Sequence, residues 1–200
     1  MTNDIIILGS TGSIGRSTLS SINKNKKFKV KLISTKKNIK KILQQAIYYK
    51  KKDVIIKNKK GFNKYQYIFK KKKIKLHLGL GKINTIIKKK VHYCVNAISG
   101  LDGLEPTLKL IPFSKNILIA NKESIICGWD LINKRLKKYK SNFVPLDSEH
   151  YSIYELIKNE KNENINKIIL TASGLPILNK SKKYILNIKP KHALNHPNRK

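Results

Sequence analysis

The sequence predicts an α/β protein: a doubly wound parallel sheet across residues 1–146, followed by the start of a second, α+β unit across residues 147–200. Three observations predict it. Short β-branched runs alternate with stretches of helical periodicity, the first run leads straight into a glycine-rich turn, and the alternation breaks after Leu146. The first run, Ile5 to Leu8, precedes a helical pattern from Thr18 to Ile22. Val30 to Ile33 is followed by a helical stretch from Ile39 to Tyr49, and Val54 to Ile56 reads as the third strand. The segment Asn58 to Leu80 is lysine-laden and weakly periodic, which predicts a loop region with one strand at Ile74 to His77.

The alternation then resumes. Tyr93 to Val95, Ile117 to Ile119 and Phe143 to Leu146 read as strands, with helices over Leu104 to Ile111 and Glu123 to Tyr139 between them. After Leu146 come a helical stretch near Ile153 to Ile157, a polar loop from Asn162 to Asn166 and a strand at Ile168 to Leu170. No internal repeat is present.

A chain of 200 residues buries about 70% of its unfolded surface, enough for one domain and part of another. Lys and Arg total 44 against 11 Asp and Glu, a formal charge of +33. Such a chain is attracted to any polyanion. The lysines, however, are spread along the whole length and interleaved with Asn and Ile, residues whose codons are A/T-rich. Nucleic-acid readers cluster their charge and add stacking aromatics or a known module. The composition therefore reads as drift, with a basic binding surface as the alternative, and no specific nucleic-acid partner is expected.

Cys94 and Cys127 show no disulfide spacing, which fits a reducing compartment. Residues 1–4 carry no basic leader, and the apolar run Ile5 to Leu8 is too short for a signal core or a membrane span. The expectation is a soluble, cytoplasmic protein with no membrane partner.

Gly9-Ser10-Thr11-Gly12-Ser13-Ile14-Gly15 lies between a strand and a helix, the context of a dinucleotide-binding, Rossmann-like turn. Glycines tighten such a turn and let backbone N–H groups approach a pyrophosphate at the helix N-terminus. The spacing is G-x-x-G-x-x-G, and a plain tight turn is the structural alternative. At the end of the second strand, where NAD-specific sites place Asp or Glu, stand Ser34, Thr35, Lys36, Lys37 and Asn38. Cations and hydroxyls without a carboxylate favour NADP, unless these lysines merely follow the composition.

Asp147-Ser148-Glu149-His150 follows directly on the strand ending at Leu146, at the carboxyl edge where open α/β sheets bind ligands. Two carboxylates two residues apart can converge on one hard cation, or can simply begin a helix.

These strings, with Asn96-Ala97-Ile98, Gly100, Gly103-Leu104-Glu105-Pro106-Thr107-Leu108, Leu118-Ile119-Ala120-Asn121-Lys122-Glu123-Ser124, Leu170-Thr171-Ala172-Ser173-Gly174 with Pro176, and His196-Pro197-Asn198, fall in one order. In that order the sequence resembles the 1-deoxy-D-xylulose 5-phosphate reductoisomerases over nearly all of its length.

The resemblance implies an NADPH-dependent rearrangement and reduction of 1-deoxy-D-xylulose 5-phosphate, in isoprenoid precursor synthesis. It implies cofactor contacts by Thr11, Gly12, Ser13, Ile14, Lys36, Lys37, Asn38, Asn121 and Glu123. It implies that Lys122, Ser148, Glu149, Ser173 and His196 hold the phosphorylated sugar, with Lys122, Glu149 and His196 closest to the chemistry. Asp147 and Glu149 would ligate Mg²⁺, Mn²⁺ or Co²⁺, and intact relatives would be homodimers.

Lys36, Ala172 and Leu175 stand where such enzymes usually have glycine. After His-Pro-Asn these enzymes continue with a Trp, a covering loop, a helix with Asn-Lys and a further Glu, and a helical domain. Here Arg199 and Lys200 follow, so the third metal carboxylate, part of the phosphate clamp and the lid are expected to be missing. A split or interrupted gene, or a fragment, would give that pattern. Two further readings stay open: a catalytically silent NADP-binding unit, and a basic nucleic-acid-binding protein.

Overall fold

The computed structural model describes residues 2–25, 27–51, 53–170 and 176–194. It divides into two compact units, residues 1–151 and 152–200.

The first unit is built on seven parallel strands in the order β4-β3-β2-β1-β5-β6-β7. The strands are β1 (Asn3–Leu8), β2 (Phe28–Thr35), β3 (Asp53–Ile56), β4 (Lys75–Leu78), β5 (Val91–Asn96), β6 (Ser114–Ile119) and β7 (Asn142–Pro145). The chain winds outward from β1 through β4 and returns to place β5 on the other side of β1, so the order reverses there. Ligands of open α/β sheets bind at such a reversal, outside the carboxyl ends of the strands.

The β-branched runs form the central strands because both faces of a parallel sheet are covered there, so Ile5 to Leu8 and Val54 to Ile56 are buried throughout, while the edge strands β4 and β7 keep exposed positions. Along β1, Ile6 and Leu8 join one core with Leu32, Leu110, Ile117 and Ile132. Ile5 and Ile7 join the opposite core with Val30, Ile33, Ile42, Val54 and Phe69.

The helices are α1 (Ser13–Asn23), α2 (Ile39–Tyr48), α3 (Lys59–Lys71), α4 (Ile83–Ile86), α5 (Leu104–Leu110), α6 (Lys122–Tyr139) and α7 (Ser148–Ile157). Three begin with asparagine caps, where Asn38, Asn58 and Asn121 side chains accept from backbone N–H groups of the first turn.

Two expectations are corrected. The segment read as loop from Asn58 contains α3, whose buried face is an aromatic stripe of Phe62, Tyr65 and Phe69 at helical spacing. The lysines around that stripe face solvent and dilute the periodicity. The strand expected at Ile168 to Leu170 does not form: these residues carry no strand assignment and Ile169 is 70% exposed. A β-branched run becomes a strand only beside a pairing partner, and none lies along it among the described residues.

In the second unit the described elements beyond α7 are a 3₁₀ turn at Asn162–Asn164 and two short helices, α8 (Lys182–Leu186) and α9 (Pro190–Leu194). No helix among the described residues is long and apolar enough to cross a membrane.

Candidate active site

A cleft of about 690 Å³ opens at the carboxyl ends of the central strands. Its floor is the turn between β1 and α1. Gly9 adopts φ +71°, and a Cβ there would lie 2.7 Å from the Ala97 carbonyl oxygen. A Cβ on Gly15 would lie 2.3 Å from the Gly9 carbonyl oxygen. Both glycines are required by close backbone approach, which brings α1 against the turn.

The turn is pinned to the end of β2. Gly9 N–H donates to Ser34 Oγ at 3.1 Å, Ser10 N–H to the Ser34 carbonyl at 2.9 Å, and the hydroxyls of Thr11 and Thr35 lie 2.7 Å apart. Gln45 closes the arrangement by accepting from Ser10 Oγ at 2.8 Å and donating to the Ser10 carbonyl at 2.9 Å. Ser34 and Thr35, read from sequence as hydroxyls suited to a phosphate, each make one side-chain bond to the turn, and both line the cleft.

Thr11, Gly12, Lys36, Lys37 and Asn38 line this cleft, while Ser13, Ile14, Asn121 and Glu123 do not border it. Ser13 and Ile14 are exposed in the first turn of α1, and Glu123 is exposed in the first turn of α6. Asn121 is buried as the cap of α6, accepting from Ser124 N–H at 3.0 Å. Its amide nitrogen is buried without a partner among the described residues.

Sequence reasoning missed two residues here. Asn96, fully buried at the end of β5, donates to the Gly103 carbonyl at 2.8 Å and to Thr107 Oγ1 at 2.6 Å, and accepts from Ile98 N–H at 3.1 Å. It fixes the wall of the cleft; an asparagine ending an apolar strand was the available signal. Asp102 brings into the cleft a carboxylate that the β2 end lacks, with Oδ2 2.7 Å from Lys36 Nζ. Nothing local in the sequence links residues 36 and 102.

The second cluster sits past β7, within the first unit. Lys122 Nζ lies 3.1 Å from Glu149 Oε2 and 3.9 Å from Asp147 Oδ1. Asp147 Oδ1 also accepts from His150 N–H at 3.1 Å and lies 2.5 Å from His150 Nδ1. The Asp147 side chain is only 9% exposed, and its Oδ2 is buried with no partner among the described residues.

Burial pushes the Asp147 carboxyl up, but hydrogen bonds from the His150 ring and backbone, with the charges of His150 and Lys122, hold it below its ordinary value. Glu149 is also held low, by its own backbone N–H and then by Lys122. Both carboxylates are thus kept ionised.

A partnerless carboxylate oxygen beside a second carboxylate fits a hard cation that takes oxygen ligands. Among the described residues no three His, Cys, Asp or Glu side chains converge. Asp147 and Glu149 would thus fill part of a coordination sphere. Ser148 opens α7 between them. Ser173 and His196, with Ala172 and Leu175, lie outside the described residues.

Two family models match: 1-deoxy-D-xylulose 5-phosphate reductoisomerase over residues 5–128, and its C-terminal domain over residues 143–200. The 1-deoxy-D-xylulose 5-phosphate reductoisomerase of Pelagibacter ubique is 49% identical over 197 residues, covering 97% of this chain and 51% of the relative. That of Clostridium acetobutylicum is 39% identical over 198 residues, with the same coverage.

Among solved structures, the Zymomonas mobilis enzyme in complex with NADPH superposes with TM-score 0.82 at 27% identity, over 98% of this chain and 52% of that one. A reductoisomerase in complex with NADPH, fosmidomycin and magnesium gives 0.78 at 30% identity, over the same shares. The chain spans about half the length of the curated relatives it matches. With both matches in sequence order along one chain, and a cleft and carboxylate pair at the carboxyl edge of its sheet, the chain belongs to the 1-deoxy-D-xylulose 5-phosphate reductoisomerase family.

Proposed function

We propose that this chain supplies the cofactor site, and part of the metal and substrate site, of an NADPH-dependent 1-deoxy-D-xylulose 5-phosphate reductoisomerase. The reaction rearranges the substrate's carbon skeleton to an aldehyde and reduces it to 2-C-methyl-D-erythritol 4-phosphate. Residues 1–146 would form the cofactor domain and residues 147–200 part of the catalytic domain. A homodimer in the cytoplasm belongs to the same reading.

The observation that carries it is the buried Asp147 Oδ2, without a partner among the described residues, beside Glu149 and Lys122. When bound, the cofactor supplies a hydride, and a divalent cation supplies Lewis-acid polarisation of the substrate oxygens. Asp147 and Glu149 would hold that cation, with Asp147 oriented by its bonds from His150. Lys122 offsets the two negative charges and directs an ammonium at the site where an anionic sugar would enter. Ser148, Ser173 and His196 complete the substrate contacts in this reading.

In the cleft, the turn from Gly9 to Gly15 brings the N-terminus of α1 toward a pyrophosphate. Lys36, Lys37 and Asn38 stand at the end of β2, where a 2′-phosphate distinguishes NADPH from NADH. The remaining proposed contacts, Thr11, Ser13, Ile14, Asn121 and Glu123, lie on α1, the turn before it and the start of α6.

Two measurements test the reading. Titration with NADPH and NADH should give tighter NADPH binding; equal or reversed affinities would overturn the cofactor assignment. NADPH oxidation with 1-deoxy-D-xylulose 5-phosphate and Mg²⁺ or Mn²⁺ should be measured with and without a separately expressed C-terminal half of a related enzyme. Turnover that falls on the order of a hundredfold or more in Asp147→Asn is expected, as for loss of placement at a reacting centre. No turnover in either mixture, from a chain that binds NADPH, would sink the activity.

A further inference from the structure

An ionic strap crosses the mouth of the cofactor cleft. Lys36 Nζ lies 2.7 Å from Asp102 Oδ2, and Lys57 Nζ lies 4.0 Å from Asp102 Oδ1. The three residues come from three parts of the fold. Lys36 follows β2, Lys57 follows β3, and Asp102 sits in a 3₁₀ turn at Leu101–Gly103 between β5 and α5. All three line the cleft. The Lys36 hydrogen bond, with the Lys57 and Lys36 charges, holds the Asp102 carboxyl below its ordinary value, so it is an anion at neutral pH.

A neighbouring pair repeats the arrangement: Lys109 Nζ lies 2.7 Å from Glu105 Oε1, and both also line the cleft. Of the four lysines that line the cleft, Lys36, Lys57 and Lys109 thus already face carboxylates of the chain itself.

We propose that Asp102 is a built-in counter-anion of this cleft: its carboxylate takes the place between Lys36 and Lys57 that the cofactor's 2′-phosphate would occupy, and so sets affinity and selectivity for 2′-phosphorylated adenine nucleotides. This rests on reading the cleft as the NADPH site.

The physical argument is one of exchange. A phosphate monoester carries up to two negative charges and three acceptor oxygens, and it can satisfy both ammonium groups at once. It displaces a single carboxylate that both share. A ribose 2′-hydroxyl carries no charge and cannot displace it, but can donate a hydrogen bond to Asp102. The carboxylate therefore weakens binding of 2′-phosphorylated ligands and leaves unphosphorylated ones untouched or slightly favoured. Removing its charge should widen the gap between the two ligand classes. All three side chains are about half exposed, so each change acts through solvent-screened charge.

The test compares wild type, Asp102→Asn, Lys36→Gln, Lys57→Gln and the Asp102→Asn/Lys36→Gln double variant at one fixed salt concentration. Each is titrated with adenosine 2′-monophosphate, adenosine 5′-monophosphate, NADPH and NADH, with a thermal melt to verify folding. Asp102→Asn should tighten the 2′-phosphorylated ligands by about two- to fivefold, the upper part of the range an exposed ion pair commands. The 5′-monophosphate and NADH should stay within about twofold.

Lys36→Gln should weaken adenosine 2′-monophosphate, and the gain from Asp102→Asn should shrink in that background because the two residues are coupled. A wild type that prefers 2′-phosphorylated ligands, together with an Asp102→Asn variant that binds them no more tightly, would overturn the counter-anion role alone. A wild type without that preference would overturn the cofactor reading, and this inference with it.

Discussion

Asn96→Ala probes what holds the cleft wall in place. The side chain is fully buried and makes three hydrogen bonds, to the Gly103 carbonyl, to Thr107 Oγ1 and from Ile98 N–H. Each is worth about 1 kcal/mol net, and a buried group stranded by the change costs a further 1–3 kcal/mol or so. Thr107 Oγ1 keeps its own bond to the Gly103 carbonyl at 2.9 Å, so the main stranded group is Ile98 N–H. The expected loss is about 4 kcal/mol, with a fall in Tm of about 8–16 °C for a domain of this size.

The same bonds position the loop bearing Ala97, Ile98, Ser99 and Asp102, all of which line the cleft. NADPH affinity should therefore drop at least tenfold even below the new Tm. Urea denaturation followed by circular dichroism gives the stability, and a cofactor titration at low temperature gives the affinity. A loss under about 1 kcal/mol, the worth of one ordinary hydrogen bond, with unchanged affinity would refute the assigned role.

Two further outcomes follow from close packing. Gly15→Ala places a Cβ 2.3 Å from the Gly9 carbonyl oxygen and 2.6 Å from Ser10 Cα, so it should cost about 1–3 kcal/mol and weaken NADPH at least tenfold. Gly12→Ala, whose Cβ would meet Gly9 O at 3.4 Å, should leave stability nearly unchanged; equal effects of the two on melting would refute the close-approach argument. Burial pushes the Cys94 thiol up to about 12, while Cys127 is exposed, so a maleimide should label Cys127 alone until the chain unfolds. The unfolded chain ionises Cys94 near the ordinary thiol value of 9.0, so the stability that Cys94 contributes is whole below that pH. It is lost as pH rises toward 12, by up to about 1.4 kcal/mol per pH unit. Wild-type and Cys94→Ala stabilities that run parallel across this range would contradict it.

What the sequence revealed and what it hid divide by range of interaction. The strands were legible because both sheet faces are buried and the runs are apolar throughout, as in β1 and β3. The turn from Gly9 to Gly15 was legible because strand, glycines and helix are contiguous. Helix α3 was hidden because its signal is three aromatics among lysines, and Ile168 to Leu170 misled because strand formation needs a partner that a local run cannot report. Asp147, Glu149 and Lys122 were found through their local strings, yet their convergence joins residues 27 positions apart. The bond from Lys36 to Asp102 spans 66 positions with no motif at either end, and only the fold brings the two together.

The helix ends bear on what the positive charge means. Helices α2, α3 and α6 each close with a lysine in the left-handed region: Lys50 at φ 51°, Lys73 at φ 56° and Lys140 at φ 48°. Each is followed by a backbone bond from five residues back, Lys51 N–H to the Ala46 carbonyl, Ile74 to Phe69 and Ser141 to Leu136. This is the Schellman closure, in which glycine is the usual residue because a Cβ there costs roughly 1–2 kcal/mol. These three lysines are therefore placed by helix closure, where a cation also meets the negative end of the helix dipole, and their position reflects the fold.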